Sequence, residues 1–275
     1  MMRRAALTVL VLLAAACAAA CSPTANLLSE KMLATGPNGP ETPSSVGVPY
    51  DEVTIPSHGR QLDGFLVRAP ASCKDAPAIL IYHGFDETIS KWVEVQKLLY
   101  DHCVSSLVFD PTGSGDSTKG ASLIHLGEDT VSAYAFARTA FPAPTRLYLL
   151  GHSMGDAVML GAEPGFDPQP VGIIVANGFS SLHDFYAARG AGLLTAGMPD
   201  WWDNTQAIAR VRVPVLVMHS DADKLIPLEQ AQRVYAAAND PKQLVIVHGY
   251  AHNGLRHNTT LEWWAPVLKF VGEAP

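Results

Sequence analysis

Three groups of side chains in this sequence could together cut an acyl bond. A serine stands between glycines in Gly151-His152-Ser153-Met154-Gly155. Two acids, Asp221 and Asp223, follow downstream, and two histidines, His248 and His252, come after them. A serine hydroxyl is a weak nucleophile on its own. A histidine within reach takes its proton as it attacks a carbonyl, and a carboxylate behind the histidine fixes the useful tautomer. These residue types therefore offer a nucleophile, a base and an orienting acid, with two choices for each of the last two. A bare Gly-x-Ser-x-Gly is weak evidence, since composition alone supplies one in about one chain in ten of this size, at about 7% for each residue. The elements around it have to decide.

Those elements are legible. Asp51 to Ile55 and Gln61 to Val67, separated by Ser57-His58-Gly59, predict a hairpin. Short apolar runs recur at Ala78 to Tyr82, Ser106 to Phe109, Leu147 to Leu150, Val171 to Val175, Val215 to Met218 and Leu244 to Val247. They are mostly continuous, as in strands buried on both faces. Helical patterns lie between several of them, at Trp92 to Tyr100, Gly127 to Thr139, Met154 to Ala162 and Leu228 to Ala238. This alternation predicts an α/β fold: a mostly parallel eight-stranded sheet flanked by helices, with right-handed crossovers. Ligands of such sheets bind at the carboxyl ends of the strands. Ser153 follows one strand end, the two acids a second, and the two histidines a third. A strand before Ser153 and a helix after it match a strained turn that exposes the hydroxyl.

From about Val48 to Val271 the chain resembles the α/β-hydrolase superfamily, and within it the Bem46-like and serine aminopeptidase-like hydrolases. Chain order in that superfamily is Ser, acid, His. The acid motif there, His-Gly-x-x-Asp-x-x-hydrophobic-Pro, lies over His219 to Pro227 and implies Asp223 as the acid, with Ser220 in place of the usual glycine. The base motif, Gly-x-x-His-Asn, lies over Gly249 to Asn253 and implies His252. His248 is then a strand-end residue with a structural hydrogen bond. Two backbone N–H groups should form the oxyanion hole. One is that of Met154, next to the nucleophile. The resemblance implies Phe85, in His83-Gly84-Phe85, as the other, with His83 bracing the loop. Asp110 to Ser117 resembles the family's supporting glycine loop and lacks the spacing and lysine of a phosphate cradle. Asp156 stands where the family usually has a small residue. It is expected to favour the helix dipole and point away from the pocket; the alternative is a narrowed pocket that favours a polar or cationic group.

A short helical lid is expected at about residues 180–212. Phe185, Tyr186, Leu193, Leu194, Trp201 and Trp202 there could line an acyl pocket; the alternative is plain packing. A lid this short suits modest acyl groups, or a substrate presented on a surface. The expected activity is that of a carboxylesterase-like serine hydrolase, cleaving a carboxylic ester or thioester of a small or lipid-like acyl substrate. No metal or organic cofactor is implied. An aminopeptidase or acyltransferase on the same residues is the alternative, the former needing an acid such as Asp156 or Glu87 for the substrate's amine. A non-catalytic binding lipoprotein is a further alternative.

The N-terminus reads as an export signal, residues 1–21. Arg3 and Arg4 precede an apolar run from Ala5 to Ala16, too short to span a bilayer comfortably, and small residues follow. Cys17 or Cys21 after small residues resembles the lipidation site of bacterial lipoproteins; the alternative is a signal peptide cut without lipidation. Residues 22–47, with four prolines from Pro23 to Pro43, are expected to form a flexible tether before a hydrolase domain over residues 48–275. The protein is thus expected to be exported and held by a lipid anchor at a membrane, facing the periplasm or the cell surface. In that setting Cys73 and Cys103, each just before a predicted strand, are expected to form a disulfide; two buried thiols are the alternative. The charge of −7 and the absence of a basic block argue against nucleic acid as a partner.

Overall fold

The computed structural model describes residues 33–141, 143–195, 202–257 and 259–272. Eight strands form one sheet: β1 (Asp51–Ser57), β2 (Arg60–Val67), β3 (Ala78–Tyr82), β4 (Ser105–Phe109), β5 (Leu147–His152), β6 (Gly172–Ala176), β7 (Val215–Ser220) and β8 (Lys242–Val247). Their spatial order is β1-β2-β4-β3-β5-β6-β7-β8. β2 pairs antiparallel with both β1 and β4, and every other pairing is parallel. The helices are α1 (Val93–Asp101), α2 (Leu123–Ala140), α3 (Met154–Ala162), α4 (Leu182–Ala187), α5 (Asn204–Ile208), α6 (Leu228–Ala237), α7 (Gly254–His257) and α8 (Leu261–Gly272). This is the α/β-hydrolase arrangement that the sequence predicts. The α2 helix starts earlier than its apolar period suggests, because the Ser122 hydroxyl accepts a hydrogen bond from the His125 N–H and caps it.

The central strands fit their sequences. All five residues of β3, β4 and β6 are buried, and so are all six of β5 and β7. Apolar layers cover both faces. One contains Leu80, Leu149, Ile173 and Val217; the other contains Ile81, Leu150, Ile174 and Leu216, with Trp92, Trp263 and Trp264 packed on it. Burying one such aliphatic side chain contributes about 1.5–3 kcal/mol, so these layers hold the strand ends rigidly. Cys73 and Cys103 are bonded, with their Cα atoms 5.5 Å apart. Each precedes one of the parallel neighbours β3 and β4, in which Ala78 pairs with Ser105.

One expectation fails. The tether predicted for residues 22–47 is not a free linker from residue 33 onward. Leu33 is buried against Ala121 and Leu126, in a cluster that includes Met154 and Trp202. The Thr35 N–H donates to Gly113 O (3.1 Å) and the Gly39 N–H to Ser90 Oγ (2.9 Å). Asn38 donates to Asp63 and Asp116. Pro43 is buried in a single 3₁₀ turn that ends at Gly47, where φ is 79°. Polar and proline-rich composition suggested disorder; in fact the polar groups are hydrogen-bond partners of the domain. Residues 22–32, the leader and Cys17 and Cys21 lie outside the described residues. No helix among the described residues is long and apolar enough to cross a membrane.

Candidate active site

The β5 strand runs to His152, and α3 starts at Met154. Ser153 is the whole turn between them, with φ 57° and ψ −116°. A non-glycine residue there stores on the order of 1–3 kcal/mol of strain, so its surroundings must enforce it. The Ser153 N–H donates to Ala176 O on β6 (3.0 Å), and the Asp156 N–H donates to Ser153 O (3.2 Å). Two glycines make the turn possible. A Cβ on Gly155 would stand 2.0 Å from Tyr82 O, and one on Gly151 would stand 2.5 Å from the Asp156 carboxylate.

His252 lies in the loop after β8. Its Nε2 is 2.9 Å from Ser153 Oγ, and its Nδ1 is 2.7 Å from Asp223 Oδ2. The other Asp223 oxygen accepts the Leu225 and Ile226 N–H groups at 2.8 and 2.9 Å. The Asp223 carboxyl titrates below its ordinary range: burial alone would raise it, but the His252 contact and these N–H groups prevail. Burial lowers the pKa of His252, and nearby His152 adds to this, while Asp223 opposes it. The imidazole is therefore neutral near pH 7, as a base must be.

The loops are cross-stitched. Asn177, at the end of β6, donates from Nδ2 to His252 O (2.7 Å) and accepts the Ser220 N–H at Oδ1 (3.1 Å). Ser220, the departure from the family glycine, donates to Tyr250 O (2.6 Å) and so ties the acid loop to the base loop. Phe85 lies in the turn after β3 and Met154 opens α3. Neither N–H takes part in a hydrogen bond among the described residues, and so both are available to a ligand. His83 is buried, with Nε2 3.1 Å from Asp110 Oδ1, and braces the loop as expected.

Asp156 lies in the first turn of α3, and its side chain turns into the core rather than into a pocket. It is fully buried, wedged so that a Cβ on Gly178 would meet it at 2.4 Å, and its Oδ1 accepts the Ala176 N–H (3.3 Å). Desolvation pushes its pKa well up, against the Ala176 and Ser153 backbone hydrogen bonds.

Short helices, α4 and α5 among them, lie between β6 and β7, where a lid is expected. Phe185 and Trp202 pack with Ala157, Phe179 and Ile226, next to the nucleophile helix and the acid loop. Tyr186 packs inward with Leu182 and Ala191, and Leu193 is exposed. The Leu194 side chain and Trp201 lie outside the described residues. Arg189, not anticipated from sequence, stacks over Phe185 at 3.7 Å and donates to Leu225 O, clamping the lid to the acid loop. Glu87, Arg256 and His152 form a second unanticipated group: Glu87 Oε1 accepts from Arg256 Nε (2.9 Å) and is 3.2 Å from His152 Nδ1. His248 meets Asp221 at the surface, apart from Ser153. No cluster of His, Cys, Asp and Glu among the described residues could hold a metal ion.

The chain is 30% identical over 205 residues to the uncharacterized protein YfhR of Salmonella typhi, covering 69% of each chain. It belongs to the YfhR family. The chain is also 23% identical over 189 residues to a zebrafish (Danio rerio) lysophosphatidylserine lipase, ABHD12, covering 61% of this chain and 49% of the lipase. The Pyrococcus furiosus esterase Pf2001 superposes with a TM-score of 0.70 at 17% identity, over 87% of this chain and 97% of the esterase, and so shares the fold. No general family profile matches the chain.

Proposed function

We propose that this protein is a serine hydrolase that cleaves a carboxylic ester or thioester through an acyl-enzyme. The observation that carries this reading is the unbroken hydrogen-bonded chain Ser153–His252–Asp223 at a strained strand-to-helix turn. His252 Nε2 takes the Ser153 proton as Oγ bonds to the carbonyl carbon. Asp223 holds the other imidazole nitrogen protonated and steadies the imidazolium. The Phe85 and Met154 N–H groups receive the oxyanion. Collapse breaks the ester bond, and His252 gives its proton to the leaving alcohol or thiol. Water, deprotonated by His252, then releases the acid and regenerates Ser153.

An ester suits the site better than a peptide amine. The two acids available to bind an amine are both buried and engaged: Glu87 by Arg256 and Trp92, Asp156 by Ala176. The esterase and the lipase named above support a carbonyl substrate of this kind. A lipid anchor on Cys17 or Cys21 and a lipid-like acyl substrate belong to the same proposal.

Hydrolysis of p-nitrophenyl esters of rising acyl length by the full-length chain tests it. Replacing Ser153→Ala should lower turnover by roughly 10³–10⁶-fold. Near-native turnover in that variant would overturn the assignment.

A further inference from the structure

Glu87 joins three elements of the site through one buried carboxylate. Its Oε2 accepts the Gly84 N–H (3.0 Å), in the turn that carries Phe85, and Trp92 Nε1 (3.0 Å). Its Oε1 accepts Arg256 Nε (2.9 Å), on the short helix α7 that directly follows His252. That same oxygen is 3.2 Å from Nδ1 of His152, the residue before the nucleophile, while His152 Nε2 reaches back to His252 O (3.3 Å). The Glu87 and Arg256 side chains are only 2% and 8% exposed. Two charges this deep are costly to desolvate, and hydrophobic residues would often stabilise the fold as well. Stability alone therefore gives no reason to keep them.

We infer that the Glu87–Arg256 pair is a positioning device: it ties the oxyanion turn to the base loop so that the Phe85 N–H and the His252 imidazole keep one fixed spacing. The inference rests on the serine-hydrolase reading. Geometry of this kind acts on the transition state, since a shift of about 1 Å can cost on the order of 10²-fold in rate.

The pair should also be visible in the pH profile. His252 faces Asp223 and His219 from β7 and its following loop, His152 from β5, and Glu87 from the β3 turn. Arg256 is joined to Glu87, with His257 Nε2 3.3 Å from its Nη1, and His83 also faces Glu87. Glu87 favours the protonated imidazole of His252. Its neutralisation should move the acid limb of kcat/KM to lower pH, and loss of the Arg256 cation should move it to higher pH. Opposite shifts are not expected from two changes that only loosen the fold.

The full-length protein is compared with Glu87→Gln, with Arg256→Met and with the double variant, using p-nitrophenyl butyrate. Active sites are counted by fluorophosphonate labelling, so that kcat refers to folded, reactive enzyme. Each single variant should lose kcat by about 10²-fold with KM nearly unchanged, and the limbs should shift in opposite directions. The double variant buries no uncompensated charge, so it should fold even if a single variant does not, and its kcat should stay low. Wild-type kcat per labelled site in the double variant would reduce the pair to mutual charge balance and overturn the inference. A wild-type protein that neither turns over esters nor labels would instead overturn the hydrolase reading.

Discussion

The ends of β7 and β8 carry two aspartate–histidine pairs. Asp221 holds His248 at 2.6 Å, and Asp223 holds His252 at 2.7 Å. In both cases the carboxylate meets Nδ1 and also accepts backbone N–H groups. Distance does not distinguish them. Exposure does: the Asp221 and His248 side chains are 40% and 77% exposed, against 0% and 12% for Asp223 and His252. Water screens the outer pair and its imidazole meets no nucleophile. The inner pair is desolvated, and its second nitrogen meets Ser153. A short Asp–His contact is therefore a common local arrangement, and burial with a third partner is what gives it chemical use.

Substitution of the histidines should separate the pairs most widely. His252→Ala should lower kcat/KM at least about 10³-fold, while His248→Ala should leave it unchanged, as ester hydrolysis would read. Equal losses in both variants would dissolve the contrast. The acids come next. Asp223→Asn should cost about 10³–10⁴-fold by leaving His252 in the wrong tautomer, and Asp221→Asn should cost nothing in the same assay. A gentler test is pH. Because burial lowers the His252 pKa, the acid limb of kcat/KM should lie below about 6.5, the ordinary imidazole value. A limb above that value would mean that the Asp223 charge outweighs desolvation.

The smallest expected effect concerns a third acid, Asp156, which has no histidine at all. Its folded-state pKa is raised. It therefore favours folding below the unfolded value, near 3.9, and this contribution is lost as pH rises and the unfolded carboxyl ionises. Thermal melts should show Asp156→Asn gaining stability relative to wild type at pH 8 and gaining little at pH 4. A gain independent of pH would show that the buried carboxyl carries no protonation cost.

Much of this was legible before any coordinates. Six strands leave short apolar runs and the first two a turn signal between them, and the runs locate the strand ends that carry Ser153, Asp223 and His252. Those residues are found through short motifs, because each sits on a single turn. The Glu87–Arg256 pair left no such trace: its partners are 169 residues apart and share no local pattern. Glu87 could be weighed only as a free acid for an amine, since nothing local says that a buried arginine already occupies it. The sequence shows the helix position of Asp156 but not its burial, which the missing side chains of Gly151 and Gly178 make room for. For the stretch from Leu33 to Gly47, composition reports a segment's polarity and not the partners that wait for it.

That stretch changes what counts as the smallest intact enzyme. A protein trimmed to begin at Val48, where the regular strands and helices start, would strip Leu33 from the cluster that it shares with Met154 and Trp202, and Asn38 from its two acids. Acyl preferences measured on such a fragment would describe a site whose helix α3 had lost a packing partner. Leu33 itself packs against Met154 and Val158 of α3. Labels and tags meant to leave that packing undisturbed belong elsewhere on the chain.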